Sequence, residues 1–190
     1  MRIAYVAHVN YPRSSGVVKK ILNQAQLWRE YGEQVGIFWL TRNPDFVSEE
    51  KGEYFFTYQG GAFSRSRLYA LRSLVDEVLR WSPDIIYLRR DMVYPAYVVL
   101  SKKQPVVVEI NTNDLAELWL YNKAQAVYHF LTRSLFDREV KGFIFPTREL
   151  SMDPYFAKCP GLKEVIANGI RLSTLPLLEP TSNDKPVLVF

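Results

Sequence analysis

Polar side chains with chemical capacity are concentrated in residues 106–114, which have the sequence VVVEINTND. Glu109 interrupts an apolar run, where an unpaired carboxylate would be costly. Side chains alternate along an extended segment, so Asn111 and Asn113 lie on the same side as Glu109. Their amide groups can hydrogen-bond hydroxyl groups of a ligand, and we predict both as ligand contacts. Either Asn113 or Asp114 could instead cap the following helix, and the alternation favours Asp114 as the cap.

Two arginines and a histidine follow two other apolar runs. Arg89 and Arg90 come directly after residues 84–88, within the sequence DIIYLRRD. We expect one of these arginines to bind phosphate or hydroxyl groups of a ligand, while the other pairs with Asp91 or faces solvent. His8 ends the first apolar run of the chain. It is a candidate ligand contact, although a structural hydrogen bond is the more frequent role of a lone histidine.

The loop HVNYPRSSG leads into a helical pattern that begins near residue 17. Ser15 and Gly16 stand at the predicted helix amino-terminus, where free backbone N–H groups and the helix dipole favour an anion such as a diphosphate. Lys19 and Lys20 in the first turn oppose that dipole, and a bound anion would explain them. The alternative is that Gly16 only permits a tight turn and that both lysines are solvated. No G-x-G-x-x-G sequence follows the strand, so a nicotinamide fingerprint is excluded.

Apolar runs of strand length alternate with helical patterns along the chain, and this alternation must position the groups above. It predicts a parallel, Rossmann-like α/β sheet with helices on both faces, with ligands bound beyond the carboxyl ends of the strands. The predicted strands are residues 3–7, 35–40, 54–58, 84–88, 106–110, 143–145 and 164–167. The predicted helices begin near residue 17 and cover 68–79, 94–102 and 115–140, the last one broken near 121–122.

The carboxyl-terminal part of the sequence predicts a domain boundary. Residues 186–190, PVLVF, have the pattern of a strand that opens a second domain, and residues 179–185 have the composition of a linker. Residues 1–178 are then one Rossmann-like domain. Asn168 and Gly169 follow its last strand, and their tolerance of unusual backbone angles places them at a hinge beside the cleft.

Composition excludes several classes of protein. The 190 residues are 48% hydrophobic and 23% charged, with a net charge of +4 and one cysteine, Cys159. The weak positive charge indicates binding to an anionic small molecule or peripheral contact with an anionic membrane. Because no lysine-rich run is present, nucleic-acid binding is not expected. A single cysteine excludes an internal disulfide and favours a reducing, cytoplasmic compartment. We expect neither a signal peptide nor a transmembrane helix, and no metal-ligand spacing, P-loop or G-x-S-x-G sequence is present.

In their order along the chain, several segments resemble the amino-terminal half of family-4 retaining glycosyltransferases of the GT-B fold. These segments are MRIAYVAH, SSGVVKKI, WREYGEQVGIF, DIIYLRRD, VVVEIN, FIFPTREL and VIANGI. The resemblance implies two Rossmann-like domains that face each other across a cleft. The missing carboxyl-terminal domain would hold most of the nucleotide-sugar donor and the acidic E-x7-E pair. Many members carry a histidine where this chain has residues 111–114, so no catalytic residue is assigned.

The resemblance also implies roles for the polar groups at the strand ends. The acceptor, a sugar or a lipid-linked sugar, would contact Asn111, Asn113, Arg89, Arg90 and His8, while Ser15 and Gly16 would lie near the donor diphosphate. The donor is a substrate, and neither a cofactor nor a metal ion is implied. Two other functions remain open at this point: a non-catalytic sugar- or nucleotide-binding module, and a GT-B epimerase acting on a nucleotide sugar.

Overall fold

The sheet is fully parallel and has the strand order β3-β2-β1-β4-β5-β6-β7. The structure is a computed structural model, and it describes residues 1–47 and 51–167. Its strands are β1 (Arg2–His8), β2 (Gln34–Thr41), β3 (Glu53–Thr57), β4 (Ile85–Arg89), β5 (Val106–Glu109), β6 (Gly142–Phe145) and β7 (Leu162–Val165). The predicted Rossmann-like class is confirmed. The expectations for Asn168, Gly169, the linker 179–185 and the strand 186–190 lie outside the described residues.

The helices begin and end where local signals in the sequence place them. Ser15 and Ser64 cap the first two helices, each accepting a hydrogen bond from a backbone N–H three residues later. The predicted break in the long helical segment is confirmed, because Asn122 ends one helix and caps the next. The helices are α1 (Gly16–Glu30), α2 (Arg65–Trp81), α3 (Pro95–Lys103), α4 (Asp114–Tyr121), α5 (Lys123–Asp137) and α6 (Arg148–Ser151).

Helices cover both faces of the sheet and bury it in two separate cores. On one face, α2, α3 and the end of α5 pack against apolar side chains of β1, β2, β4, β5 and β6. On the other face, α1 packs against Tyr5, Ile37 and Trp39. A strand buried on both faces has to be apolar throughout, which explains why these strands are continuous apolar runs. No helix of the described residues is long and apolar enough to cross a membrane.

The strand order reverses between β1 and β4, and this reversal opens a crevice at the carboxyl ends of the strands. Ala7 of β1 is the register partner of Arg89, and Arg89 is the register partner of Glu109. The polar groups that follow these three strands therefore meet at one edge of the sheet, although they are far apart in the sequence.

Candidate functional site

A cleft of about 270 Å³ lies at the carboxyl ends of β1, β4 and β5. Most of its lining is polar, and the residues come from the first turn of α1, the strand ends and the start of α4. They are His8, Tyr11, Val17, Arg89, Arg90, Asp91, Ile110, Asn111, Thr112, Asp114 and Glu117. The predicted contacts His8, Arg89, Arg90 and Asn111 are thus brought together by the fold.

Glu109 is buried at the end of β5 and is fully paired, which removes the cost anticipated for an isolated carboxylate. Lys20 of α1 forms a short ion pair with Glu109 Oε1, and Arg89 Nη1 lies 3.3 Å from the same oxygen. The Tyr5 hydroxyl donates to Glu109 Oε2 at 3.1 Å. Burial and the neighbouring Glu109 raise the pKa of Tyr5 well above its ordinary value, so this hydroxyl stays protonated and remains a donor.

The pairing of Lys20 with Glu109 bears on the expectation that a bound anion explains the lysines of α1. Lys20 contacts a carboxylate of the protein itself, and its second contact is with Asn111 Oδ1 at 3.4 Å. Lys19 is exposed. Neither lysine therefore needs an external anion, and the anion hypothesis has to rest on the helix amino-terminus alone.

On the face of the sheet opposite to Glu109 and Lys20, Asp91 contacts His8 and Arg67. His8 Nδ1 lies 2.9 Å from Asp91 Oδ2, which also accepts from Arg67. Burial alone would raise the pKa of Asp91, but the close contacts with His8 and with the Arg67 cation hold it far below its usual range. Asp91 is an ionised carboxylate at the cleft, and its pairing with Arg67 corrects the expectation that it would pair with Arg89 or Arg90.

The hydrogen bonds around His8 assign its tautomer. The backbone N–H of Arg42 donates to Asn10 Oδ1, so the amide nitrogen of Asn10 faces His8 Nε2, 3.2 Å away. Nε2 therefore accepts, from Asn10 and from the Tyr58 hydroxyl at 2.7 Å, while Nδ1 carries the proton and donates to Asp91. Both ring nitrogens are engaged, so His8 acts as a positioning group at the cleft wall.

Arg90 is the centre of a buried charge cluster beneath the cleft. Its guanidinium pairs with both carboxylate oxygens of Asp137, and Nη2 donates to Asp114 Oδ2 at 3.1 Å. Tyr155 adds a hydroxyl bond of 2.7 Å to Asp137, and Arg133 lies 3.7 Å from Asp114. The two cations and two carboxylates cancel, which is the arrangement that a buried polar cluster requires.

His129 completes this cluster through hydrogen bonds at both ring nitrogens. The backbone N–H of Val93 donates to His129 Nδ1 at 3.3 Å, so that nitrogen is unprotonated. Nε2 then carries the proton and donates to Asp114 Oδ2 at 2.9 Å. His129 therefore has a structural role in this cluster. Sequence reasoning had a usable signal here, because His129, Arg133 and Asp137 are spaced four residues apart and share one face of α5.

Arg89 and Arg90 point to opposite faces of the sheet because consecutive side chains of a strand alternate. Arg89 joins Glu109 and donates to Asn111 Oδ1 at 3.0 Å, whereas Arg90 enters the buried cluster on the α5 side. Neither arginine faces solvent, and neither carries an unpaired charge. The expectation that one of them faces solvent or pairs with Asp91 is wrong.

The cap of α4 is Asn113, and the prediction that Asp114 caps this helix is wrong. Asn113 Oδ1 accepts from the backbone N–H of Ala116 at 3.0 Å, and its amide nitrogen donates to Asp153 at 3.1 Å. The side chain of Asp114 instead enters the buried Arg90 cluster. Burial opposes its ionisation, but the hydrogen bond from His129 and the cations of Arg90 and Arg133 keep the pKa of Asp114 well below its ordinary value. The strand ends before residue 111, so strict alternation does not extend to residue 114.

Asn113→Ala is expected to lower the free energy of unfolding by about 1 kcal/mol, because α4 loses its capping hydrogen bond. Denaturant unfolding at neutral pH measures this change. Asn122→Ala is the matched control, since Asn122 caps α5 with a side-chain hydrogen bond of 3.1 Å and lies outside the cleft lining. A loss of several kcal/mol for Asn113 alone would show that its bond to Asp153, and not the cap, carries the effect.

Ser15 and Gly16 lie where the sequence places them, at the amino-terminus of α1. Ser15 Oγ accepts from the backbone N–H of Val18 at 3.3 Å. Gly16 does not have a positive φ, and a Cβ atom at this position would meet nothing within 4 Å. Neither backbone geometry nor packing within the described residues therefore requires glycine here, which argues against the tight-turn explanation of this residue.

Asn111 retains unused hydrogen-bonding capacity in the cleft. Its Oδ1 accepts from Arg89 and Lys20, which orients the amide nitrogen away from both cations. Within residues 1–47 and 51–167, that nitrogen has no hydrogen-bond partner. Thr112 and Glu117, which sequence reasoning did not single out, bond to each other at 2.7 Å on the cleft rim. Asn111 is therefore the residue best prepared to donate hydrogen bonds to a ligand.

Other reactive groups do not form a second site. In the part of the chain that the structure describes, no three His, Cys, Asp or Glu side chains are arranged to hold a metal ion. Burial raises the pKa of the Cys159 thiol, which opposes its use as a nucleophile.

Comparisons with known proteins agree with this architecture. No protein-family model and no curated protein matches the sequence. Among solved structures, the fold resembles sucrose-phosphate synthase from Thermosynechococcus elongatus, with 12% identity, a TM-score of 0.63 and coverage of 90% of this chain and 49% of that one. An α-glucosyltransferase in complex with UDP and DNA has 14% identity, a TM-score of 0.57 and coverage of 90% and 43%. HepE of Anabaena, in complex with UDP and glucose, has 18% identity, a TM-score of 0.54 and coverage of 91% and 46%.

These values show a shared fold. The chain spans about half, or slightly less, of each of these proteins. Its described residues correspond to one Rossmann-like domain of the GT-B architecture.

Proposed function

We propose that this chain is the acceptor-binding half of a glycosyltransferase that transfers a hexosyl group from a nucleotide sugar with retention of configuration. One observation carries the proposal: Asn111 lines a polar cleft at the switch point of the sheet, and its amide nitrogen has no hydrogen-bond partner among the described residues. The fold supports it, because glycosyltransferases with bound UDP share this domain. The chain is expected to act in the cytoplasm, in keeping with its single cysteine.

The pairing of charges at the cleft favours a neutral acceptor over a phosphate. Arg89 shares Glu109 with Lys20, Arg90 pairs with Asp137 and Asp114, and Arg67 pairs with Asp91. Such contacts supply many donors and acceptors at close range, which suits the hydroxyl groups of a sugar. The acceptor is therefore a free or lipid-linked sugar and not a nucleic acid.

The donor would approach from the side of α1, with its diphosphate at the helix amino-terminus beside Ser15 and Gly16. The rest of the donor would bind the second domain that the GT-B architecture supplies. The cleft residues then act by positioning: they hold the acceptor hydroxyl near the anomeric carbon of the donor sugar. Alignment of the two reactants lowers the activation barrier, so this half needs no dedicated base.

The test is to incubate the full-length protein with a panel of nucleotide sugars and with three kinds of acceptor: free sugars, lipid-linked sugars and duplex DNA. Transfer to a sugar, with an unchanged anomeric configuration by NMR, is the expected result. Transfer to DNA alone would refute the assigned acceptor class. Conversion of the nucleotide sugar without an acceptor would indicate an epimerase, and binding without reaction would indicate a binding module.

Gly16→Val is expected to lower kcat/KM for the nucleotide sugar by about tenfold or more, because a side chain at the start of α1 would block the diphosphate. The stability of the protein should change little, since the site has open space around it. Steady-state kinetics and thermal melts of the full-length protein measure the two effects.

Gly61→Val is the matched control for this substitution. Gly61 also has open space for a Cβ atom and no positive φ, but it lies outside the cleft lining. Its replacement should leave kcat/KM unchanged. Equal kinetic losses for the two variants, or no loss for Gly16→Val, would contradict an anion site at α1.

A further inference from the structure

The helix pair α4–α5 exposes an unusually apolar surface. Among its large apolar side chains, Leu120 is 82% exposed, Tyr121 80%, Leu131 66% and Phe130 58%. We name the exposed residues of this surface the apolar face: Trp119, Leu120, Tyr121, Phe130, Leu131 and Leu135. Single exposed apolar residues are common in proteins, but so many on two consecutive helices indicate a binding surface.

Charges flanking α5 on its exposed side are mostly positive. Lys123 begins α5 and Arg138 follows its end, and both are exposed. The acidic residue of α5, Asp137, is buried in the Arg90 cluster. Glu117 of α4 belongs to the lining of the cleft. The exposed side of α5 therefore presents apolar groups between two cations, and an exposed carboxylate, Glu139, follows Arg138 just beyond the helix.

A second basic and apolar surface adjoins this face. Arg65, Leu68, Tyr69 and Arg72 of α2 line an open groove of about 300 Å³. The exposed Phe63, just before α2, lies edge-on to Tyr128 of α5, with 5.1 Å between the ring centroids. Phe63 thus connects the groove of α2 with α5.

The arginines of this groove and Lys123 make no close ion pair within the protein. Within the described residues, Arg65, Arg72 and Lys123 form no ion pair. This differs from the cleft, where every arginine is paired with a carboxylate. Unpaired cations around exposed aromatic and aliphatic groups would repel a second copy of the same surface, so these charges disfavour self-association through it.

We propose that the apolar face and the adjoining groove of α2 bind the surface of an anionic lipid bilayer. Aromatic side chains with polar edges, such as Trp119 and Tyr121, suit the boundary between headgroups and acyl chains. Lysine and arginine beside them would contact anionic headgroups. If the proposed function also holds, this contact would present the cleft to a lipid-linked sugar at the membrane.

The experiment is co-sedimentation of the purified protein with vesicles. Wild-type protein should bind vesicles of phosphatidylcholine mixed with phosphatidylglycerol, bind vesicles of phosphatidylcholine alone more weakly, and dissociate as salt is raised. Phe130→Ser with Leu131→Ser should reduce partitioning at least about tenfold, because two side chains that enter the interface are lost. Arg65→Gln with Arg72→Gln should reduce it about fivefold per charge on anionic vesicles only.

Leu27→Ser with Tyr31→Ser is the matched control. Both residues are exposed at the end of α1, on the opposite face of the sheet from α2 and α5. This variant should bind vesicles like the wild type. Thermal melts of all variants should agree, since each substitution removes an exposed group, and a variant that unfolds would be replaced by Leu120→Ser.

The proposal would be overturned by no binding of the wild type to anionic vesicles, or by equal losses in the control and the α5 variant. A dimer in sedimentation velocity that Leu131→Ser dissociates would identify the face as an interface between copies and would also refute it. Vesicle binding requires no donor or acceptor, so failure of the transferase assay leaves this test unaffected.

Discussion

Arg90→Met is expected to lower the free energy of unfolding by about 3–5 kcal/mol, because it leaves the buried carboxylates of Asp114 and Asp137 without their shared cation. The methionine fills much of the arginine volume, so the loss reports charge and not a cavity. Urea unfolding at neutral pH measures it. Arg80→Met is the control: Arg80 pairs with Glu77 on the exposed side of α2, where an ion pair contributes about 0–1 kcal/mol.

The difference in stability between wild type and Arg90→Met should depend on pH in a defined way. The pKa of Asp114 is lowered in the folded protein, so its contribution is present above the pKa of the unfolded chain, about 3.9, and is lost as the pH falls. Without Arg90, burial would favour the protonated acids. The stability difference between the two proteins should therefore shrink as the pH is lowered from about 5 to 3. A difference that stays constant over this range, or a loss as small as that of Arg80→Met, would contradict the charge argument.

Asn111→Asp is expected to lower kcat/KM of the full-length protein about 5- to 150-fold, which corresponds to about 1–3 kcal/mol. The substitution keeps the oxygen that accepts from Arg89 and Lys20 but removes the amide donors that face the cleft. Stability should not fall, because the new carboxylate pairs with two cations. Steady-state kinetics with a soluble acceptor, combined with thermal melts, separates the two effects.

Two further variants sharpen this prediction. Asn111→Ala removes both the donor and the acceptor of the side chain, and it should lose at least as much activity as Asn111→Asp. Asn122→Ala, which removes the cap of α5, should lose about 1 kcal/mol of stability and no activity. Unchanged kinetics for Asn111→Asp would exclude Asn111 as the donor to the acceptor sugar.

Local features of the sequence were sufficient for the elements of the fold. Apolar runs predicted all seven strands of the described residues within a few positions, because a strand buried on both faces must be apolar throughout. The break at Asn122 and the cap at Ser15 were predictable because a cap is formed within three residues. The carboxyl-end location of the cleft followed from the parallel arrangement, which a β-α alternation imposes.

The partners of the polar residues were decided by the tertiary structure. Glu109 is paired with Lys20 and Arg90 with Asp137, at separations of 89 and 47 residues. Periodicity cannot identify such pairs, because they depend on which strands are neighbours and which helix covers each face. The sequence by itself determined the elements, the fold class and the polar character of the strand ends. Only the packed sheet decided that Asn113 and not Asp114 caps α4, and that Asn111 keeps its donors for the cleft. A buried charge must be neutralised by the groups that the fold places beside it. Asp114 therefore pairs with Arg90, while the oxygen of Asn111 binds Arg89 and Lys20 and leaves its amide nitrogen available.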